Sequence, residues 1–292
     1  MTKFTIKDLE NLSGIKAHTI RIWEHRYTFL KPARTNTNIR YYTNDDLKTI
    51  LNISILNKYG FKISHIDKMS AQDLKNRVAA LSIAGAQQER IVNELIQLMV
   101  DLDTAGFEKL LEKQIAANGV EKVIVRIIFP FFERIGILWQ TGNINPAQEH
   151  LTSNIIRQKL IVGIDHAKAL VKVKKSFLLF LPEGEHHELG LLLVHYLLKR
   201  RGAEVFYIGA NVPFKDAQFV AEIKKPDFIY IHLTSSTPGF NFNKFLHQLA
   251  EKMARPKIII SGYIANTYKR TLPKNVEFKQ SLVELVEFIS SL

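Results

Sequence analysis

The spacing of apolar and polar positions changes twice along the chain. Up to about residue 70, short amphipathic stretches alternate with tight turns. From about 88 to 169, apolar residues recur every three or four positions, which predicts a helical bundle. After residue 175, apolar runs of strand length alternate with helical segments, which is typical of a parallel sheet covered by helices. The pattern therefore predicts a multidomain protein, first α and then α/β.

This periodicity predicts four segments. They are a basic N-terminal module at 1–70, a linker at 71–87, a helical bundle at 88–170 and an α/β domain at 171–292. The expected bundle helices are 88–102, 104–117, 120–139 and 146–169. The expected strands are 177–181, 205–208, 228–233, 257–261 and 276–279, with helices at 189–201, 213–223, 241–254 and 282–292. Ligands of such sheets bind beyond the carboxyl ends of the strands.

The N-terminal module shows helix start and stop signals. Thr5 and Asp8 form a capping pair for a first helix, and Ser13-Gly14 ends it. A second helix at about 16–24 places Ile20 and Trp23 on its inner side. A short ribbon at 39–42 follows, and Thr43 with Asp46 caps the next helix. This is a helix, a turn and a helix, followed by a ribbon.

Charge and composition narrow the classes of function. The 292 residues carry a formal charge of +12 and no cysteine, which excludes disulfides, thiolate chemistry and zinc sites that need Cys. Eight Lys and four Arg against six acidic residues place half of that excess in residues 1–70, which favours a polyanionic partner there. No apolar run of transmembrane length and no signal peptide is present, so we expect a soluble, cytoplasmic protein without a membrane partner.

The N-terminal module resembles the DNA-binding domain of the MerR family of regulators. The resemblance rests on Phe4-Thr5-Ile6, on Thr19-Ile20-Arg21-x-Trp23-Glu24 and on Arg40-Tyr41-Tyr42. It implies a winged helix-turn-helix whose second helix enters the major groove of double-stranded operator DNA while the wing contacts the backbone. By that likeness the DNA-binding residues are His18, Thr19, Arg21, Arg40 and Tyr41. The alternative is a basic helical hairpin that binds a protein.

The loop after the first strand of the α/β domain contains Glu185-x-His187-x-x-Gly190. A histidine there can point into the crevice, and a nearby carboxylate can fix its tautomer. A polar loop that only caps a helix would look the same. The pattern resembles the cobalamin-binding motif D/E-x-H-x-x-G. This resemblance implies that His187 is the lower axial ligand of the cobalt and that the domain is a Rossmann-like, flavodoxin-type parallel sheet.

Four further positions match that family in spacing. His232 stands where the family has a serine, with Thr234 two residues later, and Ser261-Gly262 stands in place of two glycines. In the family these positions line the slot for the nucleotide tail of cobalamin. The resemblance therefore adds Thr234, Ser261 and Gly262 to the cofactor-binding residues, and His232 and Ser261 are departures from the pattern.

A second motif lies in the bundle. Trp139 is followed after nine residues by Glu149-His150, with Asn145 as a cap and Pro146 at the first helical position. The motif resembles that of cobalamin-binding bundles in which Trp and Glu-His surround the upper, adenosyl ligand. A core tryptophan beside a solvated helix start is the alternative. Some members of the group have a cobalt-capturing histidine after the tryptophan, where this chain has Gln140.

The order of the three regions resembles the light-sensing, adenosylcobalamin-dependent repressors of carotenoid genes. That likeness implies a photoreceptor repressor, not an enzyme, whose homo-oligomeric state (dimer or tetramer) and operator affinity depend on adenosylcobalamin and on light. Two alternatives stay open. One is a regulator of the same architecture that works without cobalamin or without light, which Gln140, His232 and Ser261 favour. The other is a corrinoid protein that carries methyl groups, although such carriers lack a DNA-binding head.

Overall fold

The computed structural model describes residues 3–81, 83–140, 144–234 and 240–292, with the side chains of residues 84 and 137–140 outside the description. The chain divides into two compact units, Met1–Ile155 and Ile156–Leu292. The division falls within one helix of the predicted bundle. The break predicted at Thr141-Gly142-Asn143 lies outside the described residues.

The first unit begins with a small helical head that carries a two-stranded wing. Its elements are α1 (Ile6–Ser13), α2 (Ala17–Arg26), β1 (Ala33–Arg34), β2 (Arg40–Tyr41), α3 (Asn44–Lys58) and α4 (Ile63–Ile66). The predicted caps are confirmed, because Thr5 with Asp8 and Thr43 with Asp46 each form a reciprocal capping box. Gly14 ends α1 in the left-handed conformation (φ 73°), which glycine adopts without steric cost.

The segment 71–87, predicted as a linker, is mostly helical. It contains α5 (Ala71–Ala79) and the start of α6 (Ala84–Val100). Ser70 and Asp73 form a third capping box, and Leu74 and Val78 are buried one helical turn apart. The prediction underweighted this short signal because only two apolar side chains mark the buried face of α5.

The rest of the bundle contains α7 (Thr104–Asn118), α8 (Val120–Val123), α9 (Phe129–Gln140) and α10 (Pro146–Asp165). The predicted single helix at 120–139 is wrong, because a π-helical turn at Ile124–Ile128 separates α8 from α9. Pro130 has no N–H and cannot bond to the carbonyl four residues earlier, which accounts for the irregular register. Within the first unit, α3 packs against α6 and α1 packs against α9.

A buried polar chain joins the head to these helices. The Asn93 side chain on α6 is 2% exposed and donates to the Leu51 carbonyl of α3 at 3.3 Å. Arg134 on α9 donates to the Asn93 oxygen, and burial lowers the pKa of this guanidinium. Leaving any of these groups unpaired would cost about 1–3 kcal/mol. These hydrogen bonds therefore fix how α3, α6 and α9 pack.

The second unit is built around a five-stranded, wholly parallel sheet. Its strands are β3 (Ser176–Pro182), β4 (Glu204–Val212), β5 (Phe228–Leu233), β6 (Lys257–Gly262) and β7 (Val276–Lys279). The strand order is β4-β3-β5-β6-β7. Within this sheet that order is 2-1-3-4-5, which is the flavodoxin-type topology, so the predicted fold is confirmed.

Helices cover the sheet as predicted: α11 (Leu189–Arg200), α12 (Phe214–Lys224), α13 (Phe242–Lys252) and α15 (Leu282–Ser290). The short helix α14 (Tyr263–Thr267) follows β6 directly and was not predicted. The central strands β3, β5 and β6 are apolar and almost fully buried, which explains their continuous apolar runs. The carboxyl ends of β3, β5 and β6 lie side by side at one edge of the sheet.

Candidate functional site

The loop between β3 and α11 holds a carboxylate and an imidazole in contact. Glu185 is 2% exposed, whereas the His187 side chain is 47% exposed. The Nδ1 atom of His187 lies 2.6 Å from Oε1 of Glu185, and the His187 backbone N–H donates to the same oxygen at 3.0 Å. A carboxylate at Nδ1 places the ring proton there and the lone pair on Nε2. The predicted pairing of Glu185 with His187 is therefore present in the structure.

The same carboxylate connects two loops. Its Oε2 atom accepts the Thr234 backbone N–H at 3.3 Å, and Thr234 directly follows β5. The Glu185 backbone N–H donates to the Pro182 carbonyl at 3.0 Å, which closes a tight turn after β3. Because both oxygens are used, the orientation of His187 depends on two neighbouring strand ends. This places the predicted residue Thr234 in contact with the Glu185–His187 pair.

Asn211, at the end of β4, also holds this loop and was missed in the sequence. Its side-chain oxygen accepts the Gly184 N–H at 2.9 Å, and its own N–H donates to the Glu185 carbonyl at 3.0 Å. Asn211 has a positive φ of 56°, a conformation in which asparagine is enriched. An asparagine next to the end of an apolar strand was the only signal in the sequence.

A second polar network lies beside the loop. The Tyr207 hydroxyl on β4 donates to Oε1 of Glu188 at 2.6 Å, and Arg157 on α10 lies 3.4 Å from the other Glu188 oxygen. Burial and the Glu188 carboxylate raise the pKa of Tyr207. His195 stacks on Tyr207 with ring centroids 5.0 Å apart, and burial lowers the pKa of His195 to about 4. These four residues surround the start of α11, next to His187, and had no motif in the sequence.

The predicted residues of β6 lie opposite β5. Ser261 pairs in register with His232, and Gly262 pairs with Leu233. Gly262 has φ 98°, and a Cβ there would lie 2.2 Å from the Leu233 carbonyl oxygen, so only glycine fits. Ser261 is buried, and its hydroxyl lies 2.8 Å from Nδ1 of His232. Gly190, in the first turn of α11, lies against the His232 ring. The structure thus brings Glu185, His187, Gly190, Thr234, Ser261 and Gly262 to one edge of the sheet.

The Glu149-His150 pair lies in the first turn of α10, in the first unit. Nδ1 of His150 is 3.0 Å from Oε2 of Glu149, and the His150 side chain is largely exposed. The predicted cap is confirmed, because the Asn145 side chain accepts the Ala147 N–H at 2.9 Å. The first turn is further fixed by buried Gln148, which donates to the Val100 carbonyl. Trp139 and Gln140 end α9, and their side chains lie outside the described part of the chain.

The second helix of the head presents a basic surface. Ile20 and Trp23 are buried as predicted, while His18 and Arg21 are exposed and Thr19 is half-buried. The buried residues attach α2 to the head, so His18 and Arg21 project from its outer face. An exposed arginine on such a helix can reach the edges of bases in a major groove. The predicted contact residues of α2 therefore share one accessible surface.

The wing is tied to α2 through Glu24. The buried Tyr42 hydroxyl donates to one Glu24 oxygen, and Nε of Arg40 lies 3.5 Å from the other. Burial and the Glu24 carboxylate raise the pKa of Tyr42. Lys3 lies over the Tyr41 ring, 4.6 Å from its centroid. Of the predicted phosphate-binding residues, Arg40 is held beside α2 by Glu24, and Tyr41 packs against Lys3. Glu24 belongs to the sequence motif of the head, and its contacts make it a positioning residue.

The described residues contain neither a cluster for a bare metal ion nor a membrane-spanning helix. Over residues 3–81, 83–140, 144–234 and 240–292, no group of three or more His, Asp or Glu side chains could hold a bare metal ion. Within the same ranges no helix is long and apolar enough to cross a membrane. The donor chemistry at His187, one imidazole oriented by one carboxylate, suits an axial ligand of a metal that a macrocycle already binds in its plane. It fits a corrinoid better than a bare ion.

Comparison with known proteins finds family models that match three parts of the chain. The model of MerR HTH family regulatory proteins matches residues 4–73, and models of B12 binding domains match residues 91–162 and 176–278. The HTH-type transcriptional repressor CarH of Myxococcus xanthus is 28% identical over 258 residues, which is 86% of each chain. CarA of the same organism, also an HTH-type transcriptional repressor, is 24% identical over 285 residues, 96% of this chain and 94% of its own.

Among solved structures, the monomethylamine corrinoid protein of Methanosarcina barkeri superposes with a TM-score of 0.53 at 14% identity. The superposition covers 70% of this chain and all of that one, and it supports the fold alone. Sequence and structure together place three recognisable regions in one polypeptide. The chain thus joins a MerR-type helix-turn-helix domain to two B12-binding regions and is homologous to the transcriptional repressors CarH and CarA.

Proposed function

We propose that the chain is a transcriptional repressor whose hold on operator DNA is controlled by cobalamin bound at His187. The observation that carries the proposal is the Glu185–His187 pair at the carboxyl edge of the parallel sheet, in a chain that begins with a MerR-type head. The names of CarH and CarA support repression as the outcome. An adenosyl upper ligand and control by light are finer parts of the same proposal.

On the DNA side, α2 enters the major groove and the wing lies along the backbone. His18, Thr19 and Arg21 contact bases, which selects the operator, while Arg40 and Tyr41 contact phosphates, which sets the register. Glu24 supports this division because it bonds to both Arg40 and Tyr42 and so couples the wing to α2. Binding is expected to weaken steeply with salt, as each neutralised phosphate releases counterions.

On the cofactor side, Nε2 of His187 is the proposed lower axial ligand of the cobalt. Glu185 keeps the ring in the coordinating tautomer, and Thr234 and Asn211 keep the loop in place. Bound cobalamin supplies a light-sensitive cobalt–carbon bond when its upper ligand is an adenosyl group. The residues proposed for that upper ligand are Trp139, Glu149 and His150.

Control of DNA binding follows from linkage. A ligand that prefers an assembled, DNA-binding state stabilises that state by its difference in affinity. Several heads on one particle then bind adjacent half-sites with a raised effective concentration. We therefore propose a homo-oligomer, a dimer or a tetramer, that forms with adenosylcobalamin in the dark and dissociates in light. Gln140 lacks an imidazole, so we do not expect it to capture cobalt after photolysis.

The decisive experiment measures spectrum, size and operator binding on the same samples of purified full-length chain. We expect adenosylcobalamin in the dark to give a bound corrin spectrum, a larger particle on gel filtration and a shifted operator fragment. Green light should reverse the last two. If the cofactor binds and light has no effect, the chain senses cobalamin as a metabolite and not light. If no cofactor binds, control by cobalamin is disproved.

A matched pair of histidine variants tests the ligand. His187→Ala should lose the spectrum of the histidine-ligated cofactor and the dark-state particle. His186→Ala changes the exposed neighbour on the same loop and should behave as the wild type. Should His187→Ala regulate its operator as the wild type does, the cobalamin-independent alternative would be correct.

A further inference from the structure

The space beside Gly190 is filled by a side chain of this protein. A Cβ on Gly190 would lie 2.3 Å from Cδ2 and 2.6 Å from Nε2 of His232. Real Cβ atoms do not approach other atoms so closely, so the imidazole lies directly against the glycine backbone of α11. His232 therefore occupies the gap between the first turn of α11 and the carboxyl end of β5.

The His232 ring is held in that gap by buried hydroxyl groups. Its Nδ1 atom lies 2.8 Å from the Ser261 hydroxyl, which in turn lies 2.6 Å from the Tyr230 hydroxyl. Ser261 is 4% exposed and Tyr230 is 1% exposed. The two hydroxyls would stay bonded to each other if the ring moved out, but one of their two protons would lose its acceptor, and an unpaired buried group is costly. The ring is therefore a fixed part of the packing between α11, β5 and β6.

Coordination chemistry makes this gap important for a corrinoid. His187 would hold the cobalt of a bound cobalamin through its imidazole, in place of the base that cobalamin carries on its nucleotide tail. That base would be buried only if the protein offered it a gap near the loop of His187. Gly190 lies three residues after His187, in the first turn of α11, and its lack of a side chain leaves a gap between α11 and β5. In this chain the opening is closed by the His232 imidazole.

We infer that His232 takes the place of the cofactor's nucleotide base, so that this chain binds a corrinoid through the corrin ring and His187 without using the tail. The inference rests on the proposed cobalamin function. It makes His232 the residue that determines specificity between complete and tail-free corrinoids. The ligand class is accordingly wider than cobalamin and includes cobinamide, which has the same corrin ring and no nucleotide.

The test compares two probes on the full chain, aquocobalamin and diaquocobinamide, each titrated while the corrin absorption is followed. For the wild type we expect dissociation constants within about threefold of each other. His232→Ser opens the gap while keeping a hydroxyl for Ser261, and it should favour aquocobalamin by at least about tenfold, because an aromatic base can then be buried. His247→Ser, which changes an exposed histidine of α13 outside the candidate site, is the control and should leave the ratio unchanged.

A second measurement needs no cofactor. Gly190→Ala should lower the thermal unfolding midpoint of the wild type by several degrees, because the new methyl group meets His232. In the His232→Ser background the same change should have a much smaller effect. Equal effects in both backgrounds would show that the ring does not fill the gap and would overturn the inference.

The outcomes separate this inference from the proposed function. A wild type that prefers aquocobalamin by more than tenfold, or a ratio that does not change in His232→Ser, overturns the inference and leaves the repressor proposal standing. A wild type that binds neither probe overturns both. Equal binding of the two probes with loss of both in His187→Ala supports both.

Discussion

The DNA-binding surface and the corrinoid loop are built in different ways. Local contacts such as the capping box between Thr5 and Asp8 help to shape the head, and His18 and Arg21 on its second helix are exposed. The corrinoid loop depends on residues far apart in sequence: Glu185 bonds to Thr234, and Asn211 bonds to Gly184. A substitution on the DNA-binding surface should therefore alter one contact. A substitution in the corrinoid loop should alter the positions of residues at several strand ends.

This difference follows from what each ligand demands. DNA presents a repeated charge, so exposed arginines on a helix that the buried residues Ile20 and Trp23 attach to the head are sufficient, and each contributes nearly independently. A single axial ligand must be aimed at one metal orbital, so its ring needs partners that fix both its position and its tautomer. The sharpest test is to remove single polar atoms from each surface.

The largest effect is expected for Glu185→Gln. The amide has one acceptor oxygen in place of two and cannot serve both His187 and the Thr234 N–H, so the aim of the imidazole is lost and corrinoid affinity should fall by about 10–100-fold. Spectral titration of the full chain measures this. Glu183→Gln changes an exposed carboxylate of the same loop and serves as the control. If both variants bind alike, the long-range support of the loop is unimportant.

Arg21→Ala is expected to have a smaller effect, confined to DNA. Loss of one base-reading arginine should weaken operator binding by about tenfold and lower the ratio of the affinities for operator and random DNA. Corrinoid binding should stay unchanged. Fluorescence anisotropy with operator and random duplexes at two salt concentrations gives both numbers. Arg26→Ala removes an exposed charge from the other end of α2 and should affect both duplexes equally. If Arg21→Ala lowers the affinity for both duplexes equally, Arg21 contacts the DNA phosphates and not the bases.

Asn211→Gly should weaken corrinoid binding by about 2–10-fold. Glycine keeps the positive φ of 56° but removes the oxygen that accepts the Gly184 N–H, which is one neutral hydrogen bond. Asn211→Ala adds backbone strain of about 1 kcal/mol to that loss. Titration and thermal unfolding of both variants separate the two contributions. An unchanged affinity in Asn211→Gly would limit the role of Asn211 to its backbone.

The smallest effect is on pH dependence, and it should be confined to the second unit. Burial lowers the pKa of both His232 and His195 to about 4. The Glu185 carboxylate raises the pKa of His232 and His187 lowers it, and Lys199 lowers the pKa of His195, but burial is the largest cause in both. The folded unit therefore binds fewer protons than the unfolded chain between about pH 6.5 and 4. The stability is fully present above that window and is lost as the pH falls through it.

Hydrogen exchange resolved along the sequence, at pH 7 and pH 5, checks this expectation after correction for the intrinsic exchange rate. Protection in residues 156–292 should drop at pH 5. His232→Ser and His195→Ser should each flatten the response, because each removes a group that must stay neutral when folded. A pH response that neither variant alters would assign it to other groups.

Much of the site was visible in sequence because its signals are short. Glu185 and His187 are two residues apart, and the strands around them have unmistakable apolar runs. Of the partners that hold them, Thr234 was predicted from the resemblance, and the others were not visible. Asn211 and Tyr230 lie in ordinary positions of strands, and only the register of the sheet brings Asn211 to the loop and Tyr230 to Ser261. The π-helical turn was missed because periodicity averages over a local change of register.

The amino-acid sequence by itself determined the order of the regions, the capped helices of the head, the flavodoxin-type succession of strands and helices and the Glu185–His187 pair. These depend on periodicity and on residues within one or two turns of each other. Only the tertiary structure decided that His232 fills the space at Gly190 and that Ser261 and Tyr230 hold it there. The physical reason is that packing across parallel strands joins side chains that are far apart in sequence, and their spacing does not say which side chain fills which gap.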